Sequence, residues 1–379
     1  MRVVLDALGI NAPGGGRSAT LNLVEGLLAL DTGDQYAMLV SEYENLAGDH
    51  GQLRQIRVRP AGRLIDRLRL QWILPRVVRE VRADLVHYTK NLCTFFSPCP
   101  SVATVYDLTI LAYPELFPLV DVLYWRSIQR RSLASVDHVI AISQATAADI
   151  CRHYKLRSDK VSVIYPGYDP VYDSSPSAGA DEVRRKFGIL GDYLLHVGSI
   201  SRKKNLVTLV KAFALLREEL GFGGQLVLVG REYNKAKEHS LSEAIRQLGL
   251  AGAVIRTGSV EQLDLRNLYA HARVCVFPSL HEGFGLVPLE AMASGVPVVV
   301  SGSSAVREVV GDAGILIDSV DDCHELAFAI SHALHDKVRA QLISAGLERA
   351  RRFSREACAA ATWQLYQRVA GSSSGNSRN

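Results

Sequence analysis

Two glutamates separated by seven residues, Glu282 and Glu290, are the side chains whose type and spacing most invite chemistry in this chain. Gly283 and Gly285 follow the first of them, and both let the backbone turn tightly and come close to a ligand. The apolar runs Val274 to Phe277 and Val296 to Val300 flank the segment and read as buried parallel strands, so a loop and a short helix must fill the gap. A helix beginning near Gly285 aims its free N–H groups and positive dipole end back into the loop, where an anion is welcome. Glu282 then lies in the loop, and Glu290 one or two turns inside the helix. Two carboxylates beside an anion site suit a ligand rich in hydroxyls and phosphate. Two solvated glutamates on an ordinary loop and helix are the plain alternative.

The run His196-Val-Gly-Ser-Ile-Ser-Arg-Lys-Lys-Asn205 lies where a strand passes into a helix, the place where open α/β sheets put their ligands. Gly198 relieves the turn. Arg202, Lys203 and Lys204 crowd positive charge at a helix N-terminus against its dipole, a conflict that an anion would relieve and that a solvated basic turn would merely tolerate. Gly14-Gly-Gly-Arg-Ser18 could cradle a further phosphate or sugar through Gly15 and Gly16. It lacks the full Gly-x-Gly-x-x-Gly pattern, and a tight turn explains it as well. Tyr106 and Asp107 end another strand. A phenol can donate a hydrogen bond to a sugar oxygen but is a poor base near neutral pH; Asp107 could orient an acceptor, yet an aspartate at a strand end is more often a cap or turn former. His87 ends the preceding strand, either as a structural residue or as a stand-in base.

Pro278-Ser-Leu-His-Glu-Gly-Phe-Gly-Leu286, running on to Glu290-Ala-Met-Ala-Ser-Gly-Val-Pro-Val298, resembles the donor-site signature of the retaining glycosyltransferases of family 4, Glu-x7-Glu spacing included. The resemblance is close from about Tyr193 to Asp318 and looser before it. It implies the α/β GT-B fold: two Rossmann-like, doubly wound parallel-sheet domains facing a cleft, with a C-terminal helix crossing back to the first domain. In that family the residue matching Glu282 lies near the transferred sugar, and the backbone after it, here Gly283, Phe284, Gly285 and Leu286, holds sugar and phosphate oxygens. Glu290 matches the glutamate that binds ribose hydroxyls, and Lys204 the residue that holds the donor phosphates. Ser199 stands where many members carry arginine after the glycine matching Gly198, which shifts part of the phosphate grip to Arg202 or Arg231. The family's glycine-rich loop falls on Gly15 and Gly16, and its His-Asp-Leu segment on Tyr106-Asp-Leu108, with the sugar-facing histidine replaced.

Gly198-Ser-Ile-Ser-Arg-Lys-Lys-Asn-Leu206 looks most like the mannosyltransferase branch that uses GDP-mannose in bacterial surface polysaccharides. UDP- or dTDP-linked glucose, N-acetylglucosamine or rhamnose is the alternative donor. Tyr106 and Ser199 keep open a catalytically silent sugar-nucleotide-binding partner. Against a dinucleotide-dependent oxidoreductase stand Glu282, Glu290 and Lys204. The family implies attack on the face of the leaving group, with the β-phosphate taking the acceptor's proton. The chain has no Asp-x-Asp for a metal-bridged diphosphate, so no metal or other cofactor is expected, and cations and helix dipoles are left to stabilise the leaving group.

These residues need a scaffold, and 379 residues exceed what one core usually supports. Strands and amphipathic helices alternate throughout, as parallel sheets covered on both faces require. The expected division is a first, acceptor-binding domain over 1–172, a second, nucleotide-sugar domain over 173–353, a crossover helix over 354–371 docked by Trp363, Leu365 and Tyr366, and a disordered tail over 372–379. Six scattered cysteines without metal-ligand spacing read as reduced thiols. With no classical leader and no long apolar run, the expected place is the cytoplasm. The net charge of +4 is modest, yet nine arginines fall between Arg54 and Arg82 against only Asp66 and Glu80. Their mixture with Leu64, Leu68, Trp72 and Ile73, on a helix that Pro75 should kink or split, suits peripheral contact with an anionic membrane through Arg63, Arg67 and Arg69. Nucleic acid is not expected as a partner.

Overall fold

Among the residues described by the computed structural model (1–8, 14–41, 51–61, 63–91, 93–175, 179–231, 235–302 and 304–374), thirteen short strands form two separate parallel sheets. The first compact unit comprises Met1–Gly167 and Phe353–Asn379, the second Tyr168–Arg352. Each holds one sheet.

In the first unit the strands are β1 (Arg2–Asp6), β2 (Gln35–Ser41), β3 (Leu53–Val58), β4 (Leu85–Tyr88), β5 (Ser101–Val105), β6 (His138–Ala141) and β7 (Val161–Val163), in the order β3-β2-β1-β4-β5-β6-β7. Almost every position of β1, β4, β5 and β6 is buried, because helices cover both faces and leave no polar side to alternate with. One face packs on the helix Gly15–Ala29 and on the last helix, Arg355–Ser374. The other face packs on the helix Arg63–Val81, through Leu70, Leu74, Val77 and Val78, and on the segment around Val122 and Leu133. Arg63–Val81 runs unbroken through Pro75.

The last helix is fixed by polar bonds as well as by burial. Trp363 Nε1 donates to Asp34 Oδ2 at 2.7 Å, Leu365 is buried, and the Tyr366 hydroxyl bonds His87 Nδ1 at 2.6 Å. His87 Nε2 bonds Thr104 Oγ1 at 2.8 Å, and burial lowers the imidazole pKa to about 3. His87 is therefore a fully engaged structural residue that ties this helix to the sheet, not a stand-in base. The helix continues to Ser374, and 375–379 lie outside the described residues.

The second unit carries β8 (Tyr193–Val197), β9 (Gln225–Val229), β10 (Val254–Gly258), β11 (Val274–Phe277), β12 (Val298–Ser301) and β13 (Ile315–Ile317), in the order β10-β9-β8-β11-β12-β13. Chain order reverses between β8 and β11. At such a switch point the connections leaving the two strands part to opposite sides and open a crevice at their carboxyl ends. The residues that follow β8 and β11 are 198–205 and 278–285, the two stretches singled out by their chemistry.

Candidate active site

The loop after β8 is held open by glycine and held rigid by its neighbours. Gly198 has φ +147°, a conformation side chains rarely adopt, and a Cβ at Gly230 would land on the Gly198 carbonyl. The backbone N–H groups of Gly198 and Ile200 donate to the carbonyls of Val229 and Arg231 at 2.8 and 2.9 Å. Arg202–Lys204 then form a single 3-10 turn that ends at Asn205, whose left-handed backbone (φ 55°) asparagine tolerates better than most residues. Asn205 Nδ2 also donates to the Val320 carbonyl at 2.6 Å. The Leu280 N–H donates to the Lys203 carbonyl at 2.9 Å and joins this loop to the one after β11.

That junction brings the candidate charges together. Lys204 Nζ donates to Glu282 Oε1 at 2.7 Å and sits 4.3 Å from the centre of the Phe277 ring, a cation–π arrangement. Lys203 Nζ is 3.7 Å from Glu282 Oε2. The crowding of cations that looked unfavourable in the sequence is thus relieved within the protein by Glu282. Lys203 is the second cation near Glu282; Arg202 is exposed, Ser199 Oγ lies 3.4 Å from Ser201 Oγ, and Arg231 is exposed.

Gly285 (φ +118°) caps the helix Leu286–Ala293, so the N–H groups of Leu286 and its successors face the loop containing Glu282 and Gly283, while Phe284 is buried. Glu290 is buried, and its Oε2 accepts a 3.1 Å hydrogen bond from the Tyr269 hydroxyl. Loss of solvation raises the Glu290 pKa to about 8 in spite of that bond, so near neutral pH it is mostly the neutral acid. Among the described residues, no group of three or more His, Cys, Asp or Glu is placed to hold a metal ion.

In the first unit, Tyr106 follows β5, and its hydroxyl bonds Thr20 Oγ1 at 2.9 Å; Thr20 Oγ1 in turn bonds the Gly16 carbonyl at 2.9 Å. Burial raises the phenol pKa well above its ordinary value, so Tyr106 can donate or accept a hydrogen bond but not act as a base. Gly15 and Gly16 are the first residues of the helix rather than a loop before it, and a Cβ on either would meet nothing within 4 Å. Internal packing therefore does not require glycine there, while the helix N-terminus leaves their N–H groups free of intrahelical partners. Asp107 Oδ1 accepts the Thr109 N–H at 3.1 Å, the turn-forming role open to an aspartate at that position.

The chain matches a family model described as "Glycosyl transferases group 1" over residues 181–355 and one described as "Glycosyltransferase Family 4" over residues 13–172. It is 30% identical over 341 residues to O-antigen chain mannosyltransferase B of Escherichia coli, covering 88% of this chain and 87% of that protein. Its structure is similar to that of sucrose-phosphate synthase from Thermosynechococcus elongatus, with TM-score 0.79 at 24% identity over 98% of this chain and 99% of the other. The chain belongs to the GT-B glycosyltransferases. A further GT-B structure, that of Anabaena HepE in complex with UDP-glucose, matches with TM-score 0.78 at 20% identity, over 97% of this chain and all of HepE. This GT-B glycosyltransferase is a retaining enzyme acting on a nucleotide-sugar donor. Tyr269, which bonds Glu290, and His196, the buried residue of β8 two positions before Gly198, are residues that type and spacing alone did not single out as candidates.

Proposed function

We propose that the enzyme moves a hexose from a nucleoside diphosphate sugar held by the second unit to a glycan or lipid-linked acceptor held by the first. The observation that carries this reading is the Lys204–Glu282 pair beside the helix N-terminus at Gly285: a cation, an anion competitor and a helix dipole at one switch point. Lys204, with Lys203, takes the diphosphate; the N–H groups from Gly283 to Leu286 hold sugar and phosphate oxygens; Glu290 takes the ribose. When the diphosphate claims Lys204, Glu282 is released towards the sugar. The cations and the helix end then stabilise the leaving diphosphate as charge grows on it.

Mannose from GDP-mannose is supported by the name of the Escherichia coli relative. UDP-linked glucose, the alternative donor, is the better supported reading, since HepE, solved with UDP-glucose, has the same architecture. Phosphates and ribose are common to both, so Lys204 and Glu290 do not choose between them. Incubation with GDP-mannose, UDP-glucose, UDP-N-acetylglucosamine and dTDP-rhamnose, with release of free nucleoside diphosphate as readout, decides. Release from none of the four would count against a transferase of this class.

For Tyr106 the proposed part is a hydrogen bond to a sugar oxygen. Tyr106→Phe should lower turnover about tenfold, the scale of one lost hydrogen bond, with nucleotide affinity nearly unchanged. Wild-type turnover in a folded variant would make the residue structural.

A lipid-linked acceptor must be met at the bilayer, and we place that contact on the layer containing the helix Arg63–Val81. No helix among the described residues is long and apolar enough to cross a membrane. The buried face of Arg63–Val81 is opposed by exposed Ile65, Leu68 and Trp72, the last 82% exposed. Gln71 Oε1 accepts the Phe95 N–H at 3.0 Å, which sets exposed Phe95 and Phe96 beside that helix. Leu119, Val120 and Leu123 are exposed on the same layer. Apolar tips among arginines suit an anionic headgroup region. The side chains of Arg63 and Arg67 lie outside the described residues, and Arg69 Nη1 donates to the Arg59 carbonyl at 2.9 Å. Sedimentation with anionic vesicles should fall with salt, and should drop on the order of 100-fold when Arg63, Arg67 and Arg69 become glutamine, at about 1 kcal/mol each. Equal sedimentation with neutral vesicles would count against the idea.

A further inference from the structure

Behind the loop that follows β8 stands a buried polar atom without a hydrogen-bond partner among the described residues. His196 is fully buried, and its ring stacks on Phe277 with 6.0 Å between centroids and 16° between planes. Its Nδ1–H donates to the Val276 carbonyl at 2.9 Å, which fixes the tautomer and leaves Nε2 as a bare acceptor. Nothing bonds Nε2. Burial, aided by the Lys204 charge and opposed by the Val276 bond, lowers the imidazole pKa to about 4, so the lone pair is present at neutral pH.

The gap this atom faces exists because residue 198 is glycine. A Cβ there would lie 3.4 Å from His196 Nε2 and 3.1 and 3.5 Å from Lys204 Cε and Nζ. An unmet acceptor and a flexible ammonium therefore border one small space. The ammonium lies against Glu282, whose carboxylate competes with any phosphate for it.

We propose that His196 is a positioning residue for Lys204: when a donor phosphate draws the ammonium off Glu282, one of its N–H groups turns to His196 Nε2. A neutral imidazole is the right partner for that state. It orients the ammonium without cancelling the charge the phosphate needs, and its own buried acceptor is satisfied only then.

The inference rests on the phosphate-holding role of Lys204, and the test separates the two. GDP, UDP and their nucleosides are titrated by calorimetry into the wild type, His196→Phe, Lys204→Ala and the double variant. Phenylalanine keeps the stacking and removes the acceptor. His196→Phe should weaken diphosphate binding about tenfold, leave nucleoside binding unchanged, and cost nothing further on top of Lys204→Ala. His196→Gln, which keeps an acceptor, should recover part of the loss. Wild-type diphosphate affinity in His196→Phe, equal losses for diphosphate and nucleoside, or additive losses in the double variant would overturn the proposal while leaving Lys204 in place. Unchanged diphosphate affinity in Lys204→Ala would overturn both. Nucleoside binding and melting temperature report folding, and His196→Leu serves the same cycle where phenylalanine does not fold.

Discussion

Lys204→Ala is expected to weaken nucleoside diphosphate binding by about 2 to 3 kcal/mol, on the order of 30- to 150-fold, while leaving nucleoside binding nearly as it was. The ammonium is the better placed of two cations near Glu282, at 2.7 Å against 3.7 Å for Lys203, and it is partly shielded by the Phe277 ring. Alanine at 204 also removes the nearer cation from Glu282, so its carboxylate repels the incoming diphosphate more strongly. The loss should therefore exceed that of Lys203→Ala. Adding Glu282→Gln to Lys204→Ala should restore some affinity by removing that repulsion, although turnover should fall further. Equal losses for diphosphate and nucleoside would show that position 204 supports the fold of the loop rather than the phosphate.

Binding of nucleoside diphosphate at pH 7 should release close to one proton, and Glu290→Gln should abolish the release. Glu290 has a pKa of about 8 because burial penalises its carboxylate more than the Tyr269 hydroxyl supports it. Ribose hydroxyls donating to Glu290 favour the ionised form, so binding drives the proton off, and affinity should rise with pH until the free protein has itself lost that proton near pH 8. Calorimetry in buffers of different ionisation enthalpy measures the count; a buffer-independent heat would remove Glu290 from the ribose site. Stability carries the opposite slope. The folded-state pKa lies above the ordinary value of 4.5, so the folded chain holds the proton more tightly than the unfolded chain. That contribution is fully present below about pH 4.5 and is lost as pH rises through about 8. Glu290→Gln should accordingly gain stability relative to the wild type as pH rises, which thermal melts across the range would register.

How much of this was legible in the sequence follows from which forces act locally. Uninterrupted apolar runs such as Val274 to Phe277 and Val296 to Val300 read as strands buried on both faces, and their alternation with amphipathic helices implies parallel sheets. The left-handed turn at Asn205 and the glycines at 198 and 285 are local backbone requirements, so the two loops and the helix N-terminus could be placed from residue type and spacing. Charge identity was equally plain: Lys204, Glu282 and Glu290 were visible as candidates. What the sequence by itself did not determine is which charges meet. That depends on the reversal of strand order between β8 and β11, which sets residues separated by 78 positions at hydrogen-bond distance. Protonation state is likewise a tertiary property, because desolvation depends on every group that surrounds a side chain. It makes Glu290 an acid near neutral pH, keeps His196 neutral, and turns His87 from a candidate base into a bolt for the last helix.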